Sequence, residues 1–265
     1  MTENLPVPAD DVLADDHLFA AWAATKAGEL LTEVRTQGLE GKALKDAGDQ
    51  AAHDLLMQLL TSYRPDDAVL SEEGKDDRLR LTAQRAWIVD PLDGTREFSE
   101  PPREDWAVHV ALWQRNADGE GGELVAGAVA QPGLGATFHT GDAPTVPERT
   151  STRPRIAVSR TRPPAFVQAL AEEIDAELVP MGSAGAKVIS VVRDVSDAYV
   201  HAGGQYEWDS AAPVAVARAA GLFTSRVDGS PLVYNQSDVL LPDLIVCRPE
   251  LAETIVEFVK RHGTQ

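Results

Sequence analysis

At 265 residues and 43% hydrophobic content, the chain suits one large domain or two compact subdomains around a shared packed interior. A formal net charge of −18 excludes a general nucleic-acid binder, which would gather Lys and Arg to displace counterions from phosphates. No apolar run approaches the roughly 20 residues that span a bilayer, and a single cysteine, Cys247, excludes an internal disulfide.

The opening Met1-Thr2-Glu3-Asn4 lacks the basic and apolar regions of a secretory signal, so a cytoplasmic location is expected. From Asp16 to Thr36, Leu18, Phe19, Trp22, Ala23, Leu30 and Val34 recur at helical spacing, with Asp15 or Asp16 as the N-cap. A second helix is expected from Asp49 to Ser62, after a turn at Lys45-Asp46-Ala47-Gly48-Asp49. Ala68–Leu70 and Ala86–Val89 read as short buried strands, each running straight into acid: Glu72-Glu73 and Asp90. Alternation over Trp106–Trp113, Leu124–Gln131 and Ala136–His139 predicts three more strands. Pro, Thr, Glu and Arg dominate Gly141–Arg155, which marks a subdomain boundary. Beyond it strands and helices alternate: Arg155–Ser159, a helix near Pro163, Leu178–Pro180, a helix over Ala184–Arg193, Ala198–His201, and a helix starting at Asp209. A strand at Leu244–Cys247 and a helix over Pro249–Arg261 close the chain. That pattern is α/β in class.

The chemistry concentrates in Ile88-Val89-Asp90-Pro91-Leu92-Asp93-Gly94-Thr95-Arg96-Glu97-Phe98. Pro91 restrains the turn and Gly94 permits an unusual backbone angle, so Asp90 and Asp93 can face one point. Clustered aspartates plus a carbonyl suit Mg2+, a hard cation that favours octahedral oxygen ligands. If Gly94 and Thr95 open a helix, their amides cradle an anion such as phosphate. A bound cation would also reconcile an anionic ligand with so acidic a chain.

This segment resembles the first signature of the inositol monophosphatase superfamily. Trp208-Asp209-Ser210-Ala211-Ala212-Pro213 through Ala219-Ala220-Gly221 resembles the second, with Pro213 where members often have Gly. Ser71-Glu72-Glu73-Gly74 and Lys45–Asp49 add two further matches, in the family's order across almost the whole chain. The resemblance implies a layered αβαβα sandwich, with an α+β half over residues 1–145 and an α/β half over 146–265. The first half would carry most metal ligands; the second would carry Asp209 and the substrate contacts. It also implies a homodimer, two or three Mg2+ ions per site, inhibition by Li+, and hydrolysis of a small phosphorylated metabolite.

Carried over by position, Glu72, Asp90 and the Leu92 carbonyl bind one Mg2+, and Asp90, Asp93 and Asp209 a second. Asp49 and Thr95, with Glu72, orient and deprotonate the attacking water. Asp93, Gly94 and Thr95 also face the substrate. Inositol-specific members carry a Glu where Ala202 stands, so an inositol ring would lack an acceptor here. Gly182-Ser183-Ala184-Gly185-Ala186-Lys187 resembles the pattern of the bisphosphate nucleotidase branch, with Lys187 meeting a second phosphate or else standing as an ordinary exposed lysine. Ser183, His201, Gln205 and Tyr206 complete the expected substrate contacts. The resemblance therefore favours removal of the 3'-phosphate of phosphoadenosine phosphate, of the kind linked to sulfate assimilation, with inositol phosphate and fructose 1,6-bisphosphate as the alternative substrates. A ligand-binding member without catalysis is the alternative of another class, against which the intact Glu72, Asp90, Asp93, Thr95 and Asp209 speak.

Overall fold

The computed structural model describes residues 5–264. A short helix α1 (Asp10–Ala14), not foreseen in the sequence, leads into α2 (Asp16–Arg35). Asp15 caps α2, its carboxylate accepting from the backbone N–H groups of His17 at 2.7 Å and Leu18 at 3.2 Å. Helix α3 (Gly41–Tyr63) starts well before the expected Asp49, so Lys45–Asp49 lies within a helix and is not a turn. Packing explains the difference. Gly48 weakens helix propensity, but a Cβ there would meet the Phe98 ring at 2.6 Å and Leu92 at 2.9 Å, so glycine lets α3 sit directly on these residues.

The first sheet comprises β1 (Ala68–Ser71), β2 (Arg85–Asp93), β3 (Ala107–Arg115), β4 (Gly122–Gln131) and β5 (Ala136–His139), in that spatial order. β1 and β2 are parallel, and the remaining pairs are antiparallel. A single turn of helix, α4 (Thr95–Phe98), follows β2. Residues 143–154 carry no strand or helix. The second half then runs β6 (Arg155–Ser159), α5 (Ala165–Glu173), β7 (Glu177–Met181), α6 (Ala184–Val192), β8 (Ala198–Ala202), α7 (Glu207–Ala219), β9 (Phe223–Ser225), β10 (Asp243–Cys247) and α8 (Ala252–His262). Its sheet has the order β7-β6-β8-β10-β9; β6 is parallel to both neighbours, and β10 is antiparallel to β8 and β9. The short β9 was not anticipated.

Three apolar cores stack these elements into αβαβα layers. Phe19, Leu31 and Leu56 of α2 and α3 pack on Trp87, Val110 and Ala128 of the first sheet. The opposite face of that sheet, through Ile88, Ala111 and Val129, meets Ile189 of α6, Val214 of α7 and Val246 of the second sheet. Val167 of α5 and Ile255 of α8 close the far side over Ile156, Val200 and Ile245. Apolar side chains on both faces of both sheets leave each layer no alternative to burial. The central helices α6 and α7 therefore present their N-terminal ends to the carboxyl end of β2. Among the described residues, no helix is long and apolar enough to cross a membrane.

Candidate metal centre and adjoining pocket

The register of β2 against β3 shifts between Asp90 and Asp93, where Pro91 interrupts the ladder. The Leu92 N–H donates to Asp90 Oδ1 at 3.0 Å, and Gly94 takes a φ of 83°, turning the chain into α4. Both aspartates are buried at this bend. Asp209 is the third residue of α7, not its first or its cap. From there one carboxylate oxygen reaches back to accept the N–H of Tyr206 at 2.7 Å. One carboxylate oxygen from each of Asp90, Asp93 and Asp209 lies within 4.8 Å of the others. These three residues, from two distant segments, are able to hold a metal ion.

Glu72 continues β1 past its last residue, its N–H donating to the Val89 carbonyl at 3.3 Å, which places it beside Asp90. The residue is exposed as a whole. Its carboxyl nonetheless rises to about 7, through desolvation and then the negative Asp209 and Asp93. Burial and the charges of Glu72, Asp93 and Asp209 raise Asp90 well above the usual carboxylate range. Asp209 rises to about 6 through burial and then Asp93. Mutually repelling carboxylates gathered in this way suit a cation site. Hard oxygen donors fit Mg2+. Beside them, the Thr95 hydroxyl lies 3.4 Å from Asp49 Oδ1 and donates to the Leu92 carbonyl at 3.1 Å. Burial and then Glu73 raise Asp49 to about 6.

Asp93 behaves differently. The Ser183 hydroxyl donates to its Oδ2 at 2.5 Å, the Gly185 N–H to the same oxygen at 2.7 Å, and the Ala184 N–H to Oδ1 at 3.1 Å. Asp93 thus meets the N-terminus of α6, and Ser183 adopts a left-handed φ of 52° there. Burial alone would raise its pKa; His109, Ser183 and Lys187 outweigh that and lower it to about 2. His109 was not anticipated, because a histidine within Val108-His109-Val110 looks like one polar step of an alternating strand. It is fully buried, with Nε2 3.2 Å from Asp93 Oδ2.

One helical turn from Ser183, Lys187 lines a pocket of about 310 Å3 together with Arg162, Tyr199, His201, Gly203 and Gln205. Lys187 is not an exposed helical lysine. Its ammonium donates to the Ser183 carbonyl at 2.6 Å and sits 5.1 Å from the Tyr199 ring centroid. Burial lowers its pKa, against the pull of Asp93 and Glu97. His201 falls to about 4 through burial and then Lys187, and its Nε2 has no partner among the described residues. Gln205 donates to the Tyr199 hydroxyl at 2.9 Å while its Oε1 stands buried and unpartnered. Tyr206 lies outside the pocket lining, stacked on Trp208 at 4.9 Å. Arg162 was missed by sequence reasoning; it is exposed. An acidic cluster beside a cation-bearing pocket is the arrangement expected for a metal-assisted reaction on an anion.

The sequence model of the inositol monophosphatase family matches residues 15–264. The chain belongs to that family. The curated 3'-phosphoadenosine 5'-phosphate phosphatase of Mycobacterium leprae is 51% identical over 254 residues, spanning 92% of this chain and 93% of that protein. The 3'(2'),5'-bisphosphate nucleotidase CysQ of Escherichia coli K12 is 33% identical over 208 residues, covering 74% of this chain and 81% of that protein. CysQ from Bacteroides thetaiotaomicron, a solved structure, superposes with a TM-score of 0.71 at 27% identity, over 87% of this chain and 96% of that one. Inositol monophosphatase II of Staphylococcus aureus shares the fold, with a TM-score of 0.76 at 23% identity over 92% and 96%. The inositol monophosphatase family is metal-dependent, and the Asp90–Asp93–Asp209 cluster of this member suits that chemistry.

Proposed function

We propose that this chain is a Mg2+-dependent phosphomonoesterase that removes the 3'-phosphate of 3'-phosphoadenosine 5'-phosphate, and of 3'-phosphoadenylyl sulfate, in sulfate assimilation. The observation that carries the reading is the adjacency of the carboxylate cluster to the Lys187–Arg162 pocket, because a bisphosphate needs a second anion site beside the reacting one. Half-identity to a protein named for this substrate supports it. Ala202 supports it from the other side, since it offers an inositol ring no side-chain acceptor.

In this reading Glu72, Asp90 and the Leu92 carbonyl hold one Mg2+, and Asp90, Asp93 and Asp209 hold the other. When bound, the two cations lower the pKa of water and stabilise the leaving oxygen of an in-line displacement. The chain supplies the rest. Thr95, held by Asp49 and the Leu92 carbonyl, orients the attacking water, and Asp49 and Glu72 stand beside it to accept its proton. The Gly94 and Thr95 amides and Asp93 border the scissile phosphate. Lys187 and Arg162 receive the 5'-phosphate, Ser183 lines the path between the two anion sites, and His201, Gln205 and Tyr206 meet the nucleoside. Water adds to phosphorus, the ester oxygen leaves with a proton, and inorganic phosphate and an alcohol result. Li+ inhibits at the second cation position, and the active form is a homodimer.

The test is phosphate release from 3'-phosphoadenosine 5'-phosphate with and without Mg2+. Release that persists after EDTA dialysis contradicts the cation requirement, and no release with Mg2+ contradicts the reading as a whole.

A further inference from the structure

We infer that His109 is a positioning residue for the metal centre, holding Asp93 and the start of α7 in one arrangement across the seam between the two halves. The inference rests on the metal-site reading above, although its Mg2+ titration needs no substrate. His109 lies on β3, paired with Asp90 in the ladder, and its ring is wholly buried. Nδ1 is 3.1 Å from the carbonyl oxygen of Trp208, the residue preceding Asp209. A carbonyl only accepts, so Nδ1 is the donor there. On its other side, Nε2 packs 3.2 Å from Asp93 Oδ2, without hydrogen-bond geometry. The imidazole therefore spans the two segments that deliver Asp93 and Asp209.

Two neighbours make the placement specific. Asp93 Oδ2 already accepts from Ser183 and Gly185, and the His109 ring packs against that same oxygen, while Oδ1 accepts the Ala184 N–H. At Gly185 a Cβ would come within 2.1 Å of His109 Nε2, so the imidazole occupies space that only a glycine leaves free at the first turn of α6. One ring thus contacts the N-terminal regions of both central helices and the acid between them. A rigid support of this kind holds ligands at the separation a small octahedral cation demands.

The side chains of Asn and Gln separate the two contacts. Asn places an amide nitrogen near the Nδ1 position and keeps the donor to Trp208; Gln places one near Nε2 and keeps the contact with Asp93. The experiment titrates Mg2+ into substrate-free wild type, His109→Asn, His109→Gln and His109→Leu by calorimetry, with circular dichroism to verify folding. Mg2+ dependence of turnover is measured alongside. We expect Asn and Gln each to weaken Mg2+ binding about three- to tenfold, and Leu, which keeps neither polar contact, to weaken it further. KM for the phosphate ester at saturating Mg2+ should stay within twofold. Mg2+ affinity within twofold of wild type in both folded amide variants overturns the inference. So does a fall in turnover without a change in Mg2+ affinity. If Leu fails to fold, the two amide variants decide the matter, and failure of all three to fold assigns His109 to the core and overturns it as well.

Discussion

The hydroxyl of Ser183 donates to Asp93 at 2.5 Å, joining residues 90 positions apart and from opposite halves of the chain. This bond brings the pocket-lining helix α6 against the carboxylate cluster. Replacing Ser183 with Ala removes a hydrogen bond to an ionised group, worth roughly 1.5–3 kcal/mol. The expected outcome is a fall of about one to two decades in kcat/KM with the fold retained, measured by steady-state kinetics and circular dichroism.

Stability should depend on pH in a way that Mg2+ reverses. Asp49, Glu72 and Asp209 have folded-state pKa values of about 6, 7 and 6, above the ordinary carboxylate range, and Asp90 is raised too. A raised carboxyl means that the folded state binds more protons than the unfolded one. Its stabilising contribution is full below about pH 4 and is lost as pH rises through 6–7. The metal-free protein should therefore melt lower at pH 8 than at pH 5. Mg2+ should raise Tm more at pH 8, by about 5 °C for roughly 2 kcal/mol of relieved repulsion. Differential scanning fluorimetry after EDTA treatment measures this, and an equal Mg2+ effect at both pH values contradicts it.

The Asp90 end of this cluster was legible in the sequence, because Asp90 directly follows the apolar Ile88-Val89 and a buried strand delivers whatever residue comes next. The start of α3 was not legible, since Gly48 looks like a helix breaker until Phe98 and Leu92 are packed against it. His109 and Arg162 were missed for a different reason. Neither belongs to a local pattern, and their neighbours in space come from Trp208 and from Gln205, far along the chain. Lys187 was located as a site candidate, but its burial against Tyr199 emerges only from the layering.

Arg162 should discriminate between substrates by phosphate count. It is exposed, so its contribution is screened and belongs near the low end for a charged pair. Arg162→Ala is expected to raise KM for 3'-phosphoadenosine 5'-phosphate about five- to tenfold and to leave KM for inositol 1-phosphate within twofold. Parallel steady-state assays check this, and equal increases for both would move the second phosphate elsewhere.

Lithium tests the second cation position. At subsaturating Mg2+ the rate of phosphate release should fall with added Li+, and the inhibition should weaken in Asp209→Asn, which lacks one anionic ligand there. A titration with no loss of rate in wild type contradicts the assignment of Asp93 and Asp209 to a second cation.

The central claim is a metal centre built for a bisphosphate nucleotide, and substrate preference tests it most directly. In the proposed reading, a remote phosphate on Lys187 and Arg162 would hold the reacting phosphate in line, whereas inositol 1-phosphate has no second phosphate and finds no acceptor at Ala202. The decisive measurement is kcat/KM for the two substrates in the same Mg2+ buffer. The expected result is a preference for 3'-phosphoadenosine 5'-phosphate of about one to two decades, the worth of one charge-assisted hydrogen bond. Equal or reversed values would contradict it.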